Sequence, residues 1–358
     1  MSSATELRAG FPDPVGHEER IEGLWRSAEA GRLPHALLAR GPRGIGKLRA
    51  RRWLALGLHC AQGPGRPCRT CGPCKRILSG NHPDHHELDV LLYRGDDEST
   101  TIQVKHIVER DGSPPTPIAS FLQLRRSESL WRTVIIREVE RMNINAQNAF
   151  LKTLEEPAPG TLLLLETSEP RRLLPTVLSR VMQLQLDPLS GDQVRTVLAG
   201  VELPEKVDRE LLGRLASGSP GRAVELVEQG LLPARELLLG WLSGELDPSA
   251  AARELLALEG AFEGKTPAAR NRARTSACLE LGLDLLGDLA RLQAGITPGE
   301  LVHGPELEPL VGRISAQDRE QWLNRWLEAR KDMETNLGPE AALERALDRS
   351  PRAVQGAP

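Results

Sequence analysis

The chain has 358 residues, of which 40% are hydrophobic, 27% are charged and 3% are aromatic, and its formal net charge is −3. This length favours two or three domains, and the charge balance excludes binding of nucleic acid through overall electrostatic attraction. No apolar run reaches the roughly 18 residues of a membrane span and no signal-peptide core is present, so the cytoplasm is the expected location.

The N-terminal part shows the patterns of alternating helices and strands. Residues 18–31 place apolar side chains at helical spacing, which predicts an amphipathic helix. The apolar run 36–40 predicts a buried strand, and 47–60 predicts a helix that follows a glycine-rich loop. Strand, glycine loop and helix form the context that a phosphate-binding loop requires.

The loop itself, "GPRGIGKL", carries Gly41, Gly44, Gly46 and Lys47 in the order of a phosphate-binding motif. Leu48 stands where a Ser or Thr would bind magnesium. Backbone N–H groups, a helix N-terminus and the lysine can meet a phosphate without that metal, so ATP or ADP binding stays open. The same glycines also fit a plain turn between a strand and a helix, and this alternative is kept.

Four cysteines follow the next helix: Cys60, Cys68, Cys71 and Cys74, with the spacing C-x7-C-x2-C-x2-C. Thiolates this close in sequence let one short segment wrap a tetrahedral ion, which predicts a zinc site in a module at about 59–80. Four sulfur ligands leave no open position on the metal. The predicted role of the zinc is therefore structural and not catalytic.

The next segments continue the alternation. Residues 81–89 predict a turn that enters a strand, with three exposed histidines. A helix is predicted over 145–157 with Asn145 as its N-cap, and a buried strand followed by a turn over 161–170. Strands that alternate with helices indicate an α/β fold with a parallel sheet flanked by helices.

A second position that lacks a magnesium ligand lies between these segments. The β-branched run Thr133–Ile136 predicts a buried parallel strand, and Arg137 and Glu138 follow it, where an Asp-Glu pair would hold the metal. An arginine at this point repels a cation. Leu48 and Arg137 together predict that the chain has no magnesium site and no intrinsic ATPase activity.

Five sequence blocks, taken in order, resemble the clamp-loader subunits of bacterial DNA polymerase III, which are AAA+ proteins. The resemblance covers residues from about 15 to 225, and the C-terminal third matches only in being helical. The individual blocks are moderately specific, and the ordered set is highly specific. The blocks are "GRLPHALLARGPRGIGK", the four cysteines, "HPD", "NAQNAFLKTLEEP" and "LLPTVLSR".

The resemblance implies roles for single residues. Arg180 in "LSR" matches the arginine finger that reaches into the ATP site of a neighbouring subunit, although Val181 replaces the cysteine of the family motif. Arg222 in "SGSPGRAVEL" matches a lid arginine that can contact a nucleotide phosphate. Thr167 in "TSEP" occupies the family's sensor position at the end of a strand.

Two kinds of subunit share these motifs. The γ/τ subunits are ATPase motors, whereas δ′ typically has degraded magnesium positions, as Leu48 and Arg137 are here. The resemblance therefore implies a δ′-type stator that assembles with γ/τ and δ subunits to place the sliding clamp on primed DNA. Two alternatives are kept: a γ/τ-type ATPase with unusual metal ligands, and a stand-alone zinc-containing nucleic-acid-binding protein.

The C-terminal half is rich in Leu, Ala, Glu and Arg with helical periodicity. Trp322 and Trp326, four residues apart, indicate a core or a subunit interface. Together with the resemblance, this composition and periodicity predict an all-helical C-terminal part. The predicted domains are an AAA+ α/β domain at 1–186, a small helical lid at 187–238, a helical collar at 239–348 and a disordered tail at 349–358.

Overall fold

The computed structural model shows two compact units. The first unit runs up to Val201 and includes Gly218–Gly221, and the second contains Glu202–Ser217 and the chain from Arg222 onward. The division of the helical part into lid and collar stays a prediction, and residues 350–358 of the predicted tail lie outside the described residues. The described residues are 13–89, 101–110, 116–262, 264, 266–334 and 338–349.

The first unit is built around one sheet of five parallel strands. The strands are β1 Ala36–Arg40, β2 His85–Leu88, β3 Arg132–Ile136, β4 Thr161–Thr167 and β5 Met182–Gln185. Their order across the sheet is β2-β3-β4-β1-β5, and Leu38 of β1 lies opposite Leu165 of β4 and Gln183 of β5. All residues of β3 and β4 are buried, as expected for central strands covered on both faces.

Helices cover both faces of this sheet. They are α1 Glu18–Glu29, α2 Lys47–His59, α3 Gly72–Leu78, α4 Val104–Ile107, α5 Ile118–Gln123, α6 Ile144–Glu155, α7 Pro175–Leu178 and α8 Gly191–Ala199. Because side chains of a strand alternate between faces, Leu164 packs in the cluster with Trp53 of α2, and Leu163 packs in the cluster with Phe150 of α6. The predicted α/β fold class, a parallel sheet flanked by helices, is confirmed.

The described part of the second unit contains helices and turns. Its α-helices are α9 Arg209–Leu215, α10 Pro220–Glu228, α11 Leu231–Ser243, α12 Pro248–Ala257, α13 Pro267–Gln293, α14 Gly304–Leu307, α15 Ala316–Glu334 and α16 Pro339–Leu347. Of these, α10 belongs to the second unit from Arg222 onward. Trp326 is fully buried, with its ring centroid 5.7 Å from that of Trp241. Gly282 makes room for it, since a Cβ there would lie 2.0 Å from the Trp326 ring. Among the described residues, no helix combines the length and apolar character needed to cross a membrane.

The start of α6 differs from the prediction by two residues. Asn143, and not Asn145, is the N-cap: its backbone is extended, and its side chain accepts the N–H of Ala146 at 2.8 Å. Asn145 already lies inside the first helical turn. Both asparagines are suitable caps by residue type, so only the path of the backbone decides between them.

The expectation of exposed histidines before β2 is wrong. His82 is buried, and its Nδ1 accepts the N–H of Asp84 at 3.1 Å. The ring of His85 shares a hydrogen bond of 2.6 Å with Oγ1 of Thr133, which lies on the neighbouring strand. Burial lowers the pKa of His86 to about 4. These rings are parts of the packing around β2 and not of a solvated turn.

Candidate functional site

The phosphate loop joins β1 to α2 and has a backbone shape that requires its glycines. Gly44 and Gly46 have φ angles of 77° and 100°, in the left-handed region that favours glycine. Gly41 follows β1 directly, and Gly46 caps α2, so that Lys47 is the first residue of the helix. The predicted sequence of strand, loop and helix is therefore present.

Lys47 is held inside the loop by three acceptors. Its Nζ donates to the carbonyl oxygens of Gly41 at 2.9 Å and Pro42 at 2.8 Å, and to Oγ of Ser168 at 2.7 Å. The side chain is buried, and this burial lowers its pKa. Because an ammonium group has three protons, a phosphate that binds Lys47 must displace one of these acceptors.

Gly218–Gly221 packs on the phosphate loop within the first unit. Gly221 donates its N–H to the carbonyl oxygen of Gly44 at 2.9 Å, and a Cβ on Gly221 would lie 2.8 Å from Cα of Gly44. Arg222, the candidate lid arginine, belongs to the second unit, where it pairs with Asp284. Arg222 thus has an acidic partner in its own chain.

The two positions that would bind magnesium carry an apolar and a cationic side chain. Leu48 packs against the apolar cluster of α1 and α2. Arg137, directly after β3, pairs with Asp89, and its Nε lies 3.8 Å from Oε1 of Glu166. Burial acts to lower the pKa of Arg137, but the charges of Asp89 and Glu166 raise it above its ordinary value.

A second arginine reaches the same strand ends from α2. Arg51 is only 2% exposed and pairs with Glu166 at the end of β4. Its Nη1 donates to the carbonyl oxygens of Ile136 at 3.2 Å and Leu164 at 3.0 Å. A guanidinium group keeps its charge in such a site. Arg51 and Arg137 therefore bring two fixed positive charges to the Glu166 carboxylate.

The four predicted zinc ligands converge. The Sγ atoms of Cys60, Cys68, Cys71 and Cys74 all lie within 4.8 Å of one another. Zn–S bonds of about 2.3 Å in a tetrahedron put the sulfurs about 3.8 Å apart, so the donor set fits a structural zinc ion. Within the described part of the chain, no other group of three or more His, Cys, Asp or Glu side chains is suited to a metal ion.

The local structure shifts the pKa values of two of these thiols in opposite directions. Cys60 ends α2, and Cys71 caps α3, which carries Cys74. The backbone N–H of Cys71 donates to Sγ of Cys68 at 3.4 Å, and this hydrogen bond, together with those from Thr70, lowers the pKa of Cys68 to about 6. Burial raises the pKa of Cys74. A bound zinc ion favours the thiolate form of every ligand, so the metal would offset the cost of burial at Cys74.

The cysteine module is packed on α2 through close contacts. The guanidinium of Arg69 lies 4.8 Å from the ring centroid of Trp53, a cation–π contact. A Cβ on Gly57 would lie 2.2 Å from the carbonyl oxygen of Gly65 and 2.4 Å from the ring of Trp25. Only glycine at position 57 lets the module and α1 approach the helix this closely.

Arg180 lies two residues beyond α7 and keeps 36% of its side-chain surface exposed. Its guanidinium pairs with Glu155 at 2.6 Å and donates to the carbonyl oxygen of Thr176 at 2.9 Å and to Oγ of Ser179 at 3.3 Å. These contacts hold the group at the surface of the first unit. The predicted finger residue is thus solvent-accessible and locally oriented.

Comparison with known proteins identifies the first unit. The family described as "DNA polymerase III, delta subunit" matches residues 16–190. The chain is 36% identical over 208 residues to DNA polymerase III subunit delta′ of Bacillus subtilis, covering 57% of this chain and 56% of that protein. Residues 16–190 are therefore similar to subunits of the DNA polymerase III clamp loader.

The comparisons do not separate the two kinds of clamp-loader subunit. DNA polymerase III subunit tau of Escherichia coli is 34% identical over 227 residues, covering 62% of this chain and 33% of that protein. The chain thus spans a third to somewhat over half of these relatives. A gamma subunit-related protein of Thermotoga maritima, 19% identical, aligns over 91% of this chain and 97% of its own with a TM-score of 0.44.

Two residues of this clamp-loader fold were not found from the sequence. The sequence analysis assigns no role to Arg51, although its place one turn after Lys47 is a signal that it faces the sheet. Thr167, which the resemblance places at the sensor position, accepts the N–H of Glu169 at 3.0 Å. Ser168, the next residue, makes the contact to Lys47.

Proposed function

We propose that the chain is a non-hydrolysing clamp-loader subunit of the δ′ type, which acts as a stator in the complex that loads the sliding clamp onto primed DNA. Its partners would be γ/τ and δ subunits, and its place of action the cytoplasm. Similarity to the family supports the clamp-loader assignment, and the finer assignment to δ′ rests on the chemistry of the strand ends.

The observation that carries this proposal is the pair of arginines at Glu166. In a hydrolysing site, a Ser or Thr and a carboxylate hold magnesium, which neutralises charge that develops on the phosphates. Here Leu48 provides no ligand, while Arg51 and Arg137 bring fixed positive charge to Glu166. A divalent cation placed there meets two guanidinium groups at close range.

The exposed position of Arg180 supports a role in trans. A guanidinium that reaches the γ-phosphate of a neighbour stabilises charge in the transition state, an effect of about 10³-fold or more in rate. Arg180 already donates to Thr176 and Ser179 and pairs with Glu155. These contacts lower the entropy that the side chain loses when it engages a phosphate.

ATP turnover tests this proposal. The isolated chain should show no magnesium-dependent hydrolysis, while the complex reconstituted with γ/τ and δ hydrolyses ATP. Arg180→Ala should leave assembly intact and lower the rate of ATP hydrolysis about 10³-fold at the one neighbouring ATP site that Arg180 would reach. Arg171→Ala, which changes an exposed arginine before α7, is the matched control and should leave the rate unchanged.

Two results would replace the proposal by its alternatives. Turnover by the isolated chain that Lys47→Ala abolishes would indicate a γ/τ-type ATPase. Tight DNA binding by the isolated chain, without association with γ/τ and δ, would indicate a stand-alone zinc-containing nucleic-acid-binding protein. An unchanged rate of the complex carrying Arg180→Ala would remove the finger assignment alone.

The helical second unit would supply the collar that holds the ring together. Its core is continuous from α11 to α16 and centres on Trp241 and Trp326. Deletion of the chain beyond about residue 240 cuts this core and should abolish ring assembly, measured by size-exclusion chromatography with the partner subunits. A truncated chain that still assembles would count against a collar role.

A further inference from the structure

The turn between Cys68 and Cys71 has a backbone shape that its sequence does not favour. Arg69 has a φ of 61°, in the left-handed region where a Cβ crowds the neighbouring carbonyl oxygen. Among the described residues, only three that are not glycine have a positive φ, and Arg69 is one of them. Arginine lacks the short polar side chain with which Asn or Asp tolerates this region. Contacts from outside the turn must therefore hold Arg69 in this shape.

The left-handed turn directs three successive backbone N–H groups at cysteine sulfurs. The N–H of Cys71 donates to Sγ of Cys68 at 3.4 Å, and the N–H of Thr70 donates to the same atom. The N–H of Arg69 donates to Sγ of Cys74. Successive N–H groups around a left-handed residue form a concave anion site, as in many phosphate and iron–sulfur sites. The turn is thus shaped for thiolates, the form in which cysteines bind zinc.

The side chain of Arg69 has two anchors outside the turn. Its guanidinium lies 4.8 Å from the ring centroid of Trp53 in α2, and it pairs with Asp13 in the N-terminal segment. Trp53 is buried, and Trp25 of α1 packs beside it with the two ring centroids 6.3 Å apart. The Trp53 ring is therefore a fixed surface on which the guanidinium can rest.

Asp13 also pairs with a second arginine, Arg66, but the two arginines differ in their position. Arg69 lies between two of the candidate zinc ligands, and 34% of its side-chain surface is exposed. Arg66 precedes the turn and keeps 78% of its side-chain surface exposed. An ion pair this exposed contributes little by itself. Arg66 thus shares the carboxylate with Arg69 but not the place inside the zinc-binding turn.

We propose that Arg69 is a positioning residue of the zinc site and that Asp13 fastens the turn through it. The anchored side chain holds a backbone shape that an arginine otherwise avoids, and this backbone supplies the N–H donors to the sulfurs. Groups that orient metal ligands in this way change the affinity for the metal about 10–100-fold. Arg69 would therefore decide how tightly the zinc ion is held without touching the ion.

The contacts of Arg69 join three separate segments of the first unit. Asp13 belongs to the segment before α1, Trp53 to the middle of α2, and Arg69 to the cysteine module. The bound zinc ion and the docked N-terminal segment both favour the same left-handed turn. Because such coupling is reciprocal, zinc should tighten the attachment of Asp13, and Asp13 should slow the release of zinc.

The rate at which the full chain releases zinc to an excess of a colorimetric chelator tests this role. Arg69→Ala removes both anchors but keeps a Cβ, and should raise the release rate about tenfold. Arg69→Gly removes the same anchors, but glycine adopts the left-handed region freely. Arg69→Gly should therefore release zinc more slowly than Arg69→Ala, a rescue that loss of a packing contact alone does not produce.

Two further variants separate Arg69 from its surroundings. Arg66→Ala is the matched control, since it removes an arginine with the same acidic partner, and it should leave the release rate unchanged. Asp13→Asn should raise the rate by up to about fivefold, the effect of one exposed ion pair. It should add nothing to Arg69→Ala, because Asp13 acts through Arg69. Asp13→Asn leaves the module intact, so it tests the proposal even where a change at Arg69 impairs folding.

Cobalt(II) loaded in place of zinc reports the arrangement of the sulfurs through its visible absorption. We expect the wild-type spectrum for Arg66→Ala and an altered one for Arg69→Ala at equal metal content. The proposal is overturned if Arg69→Ala releases zinc no faster than the wild type, Arg69→Gly or Arg66→Ala. A wild-type chain that takes up neither metal overturns it together with the zinc site. None of these measurements involves ATP, so the stator proposal is tested separately.

Discussion

The phosphate loop and the cysteine module differ in the source of the positive charge beside their anionic side chains. At the strand ends beside the loop, the Glu166 carboxylate is neutralised by Arg51 and Arg137, which are part of the chain. In the module, the Sγ atoms of four cysteines lie within 4.8 Å of one another and form a donor set that suits a metal ion. One region carries its own positive charge, and the other is suited to a positive charge from solution.

This difference shows how the two motifs should be judged. A phosphate loop keeps its shape through glycines, and that shape survives when the metal ligands are replaced. A tetrad of thiols has no comparable substitute for its ion, because unpaired thiolates at this distance repel one another. Loss of an external ion should therefore be severe at the module and without effect at the loop.

The largest expected effect concerns zinc. The purified chain should contain one zinc ion, and Cys74→Ser should lose it together with about 4 kcal/mol or more of stability, the range reached when a metal site is lost. Elemental analysis and thermal unfolding measure both quantities. Cys278→Ala, which removes a buried thiol far along the chain in α13, should keep the full zinc content. A wild-type chain without zinc after mild purification would break the comparison.

The next effect tests the built-in cation. Arg51→Met removes the buried, hydrogen-bonded partner of Glu166 and should lower the free energy of unfolding by up to about 3–5 kcal/mol, because the carboxylate then keeps only the charge of Arg137 at 3.8 Å. Denaturant unfolding measures the loss. Arg195→Ala, which removes a surface arginine paired with Asp192, should change stability by no more than about 0.5 kcal/mol. Equal stability of Arg51→Met and the wild type would show that the arginine does not neutralise this site.

A smaller effect is expected where the module packs on α2. Gly57→Ala places a Cβ against the carbonyl oxygen of Gly65 and the ring of Trp25, and should cost about 1–3 kcal/mol. Gly23→Ala in α1 has only a distant arginine tip nearby and should stabilise by up to about 1 kcal/mol. Thermal unfolding at constant zinc content compares the two. A neutral Gly57→Ala would mean that the module adapts freely.

The smallest expected effect concerns magnesium at the phosphate loop. Adding magnesium to a chain saturated with ATP should not raise the melting temperature beyond what ATP does in magnesium-free buffer. A magnesium-dependent ligand present at about 100 times its Kd would add about 2.7 kcal/mol. Lys47→Ala is the control for binding in the loop. A magnesium-dependent rise in melting temperature that Lys47→Ala removes would contradict the prediction that Arg51 and Arg137 take the place of the magnesium ion.

Much of the candidate site follows from local sequence signals. The glycines of the loop, the cysteine spacing and the apolar runs of β3 and β4 each act within a few residues, where chemistry and chain geometry are coupled directly. The family blocks added Arg180, whose exposed position a local pattern would not have distinguished from that of any surface arginine. Asn143 against Asn145 shows the limit of such signals, because both have the right chemistry and only the backbone path selects one.

The contacts that decide the chemistry lie beyond that limit. Arg51 meets Glu166 across 115 positions, and Lys47 meets Ser168 across 121. His85 and Thr133 are joined because β2 pairs with β3. None of these partners is marked by its own neighbours in the sequence, since each pair forms only when separate strands and helices are brought together.

The sequence by itself determined the α/β fold class, the form of the phosphate loop and the identity of the four thiols, because each depends on residue types at short, regular spacing. Tertiary structure alone decided what fills the places around that loop: the arginines at Glu166 and the three acceptors of Lys47. Burial and partnership of a charge depend on side chains from distant segments, and only the folded chain brings those segments together.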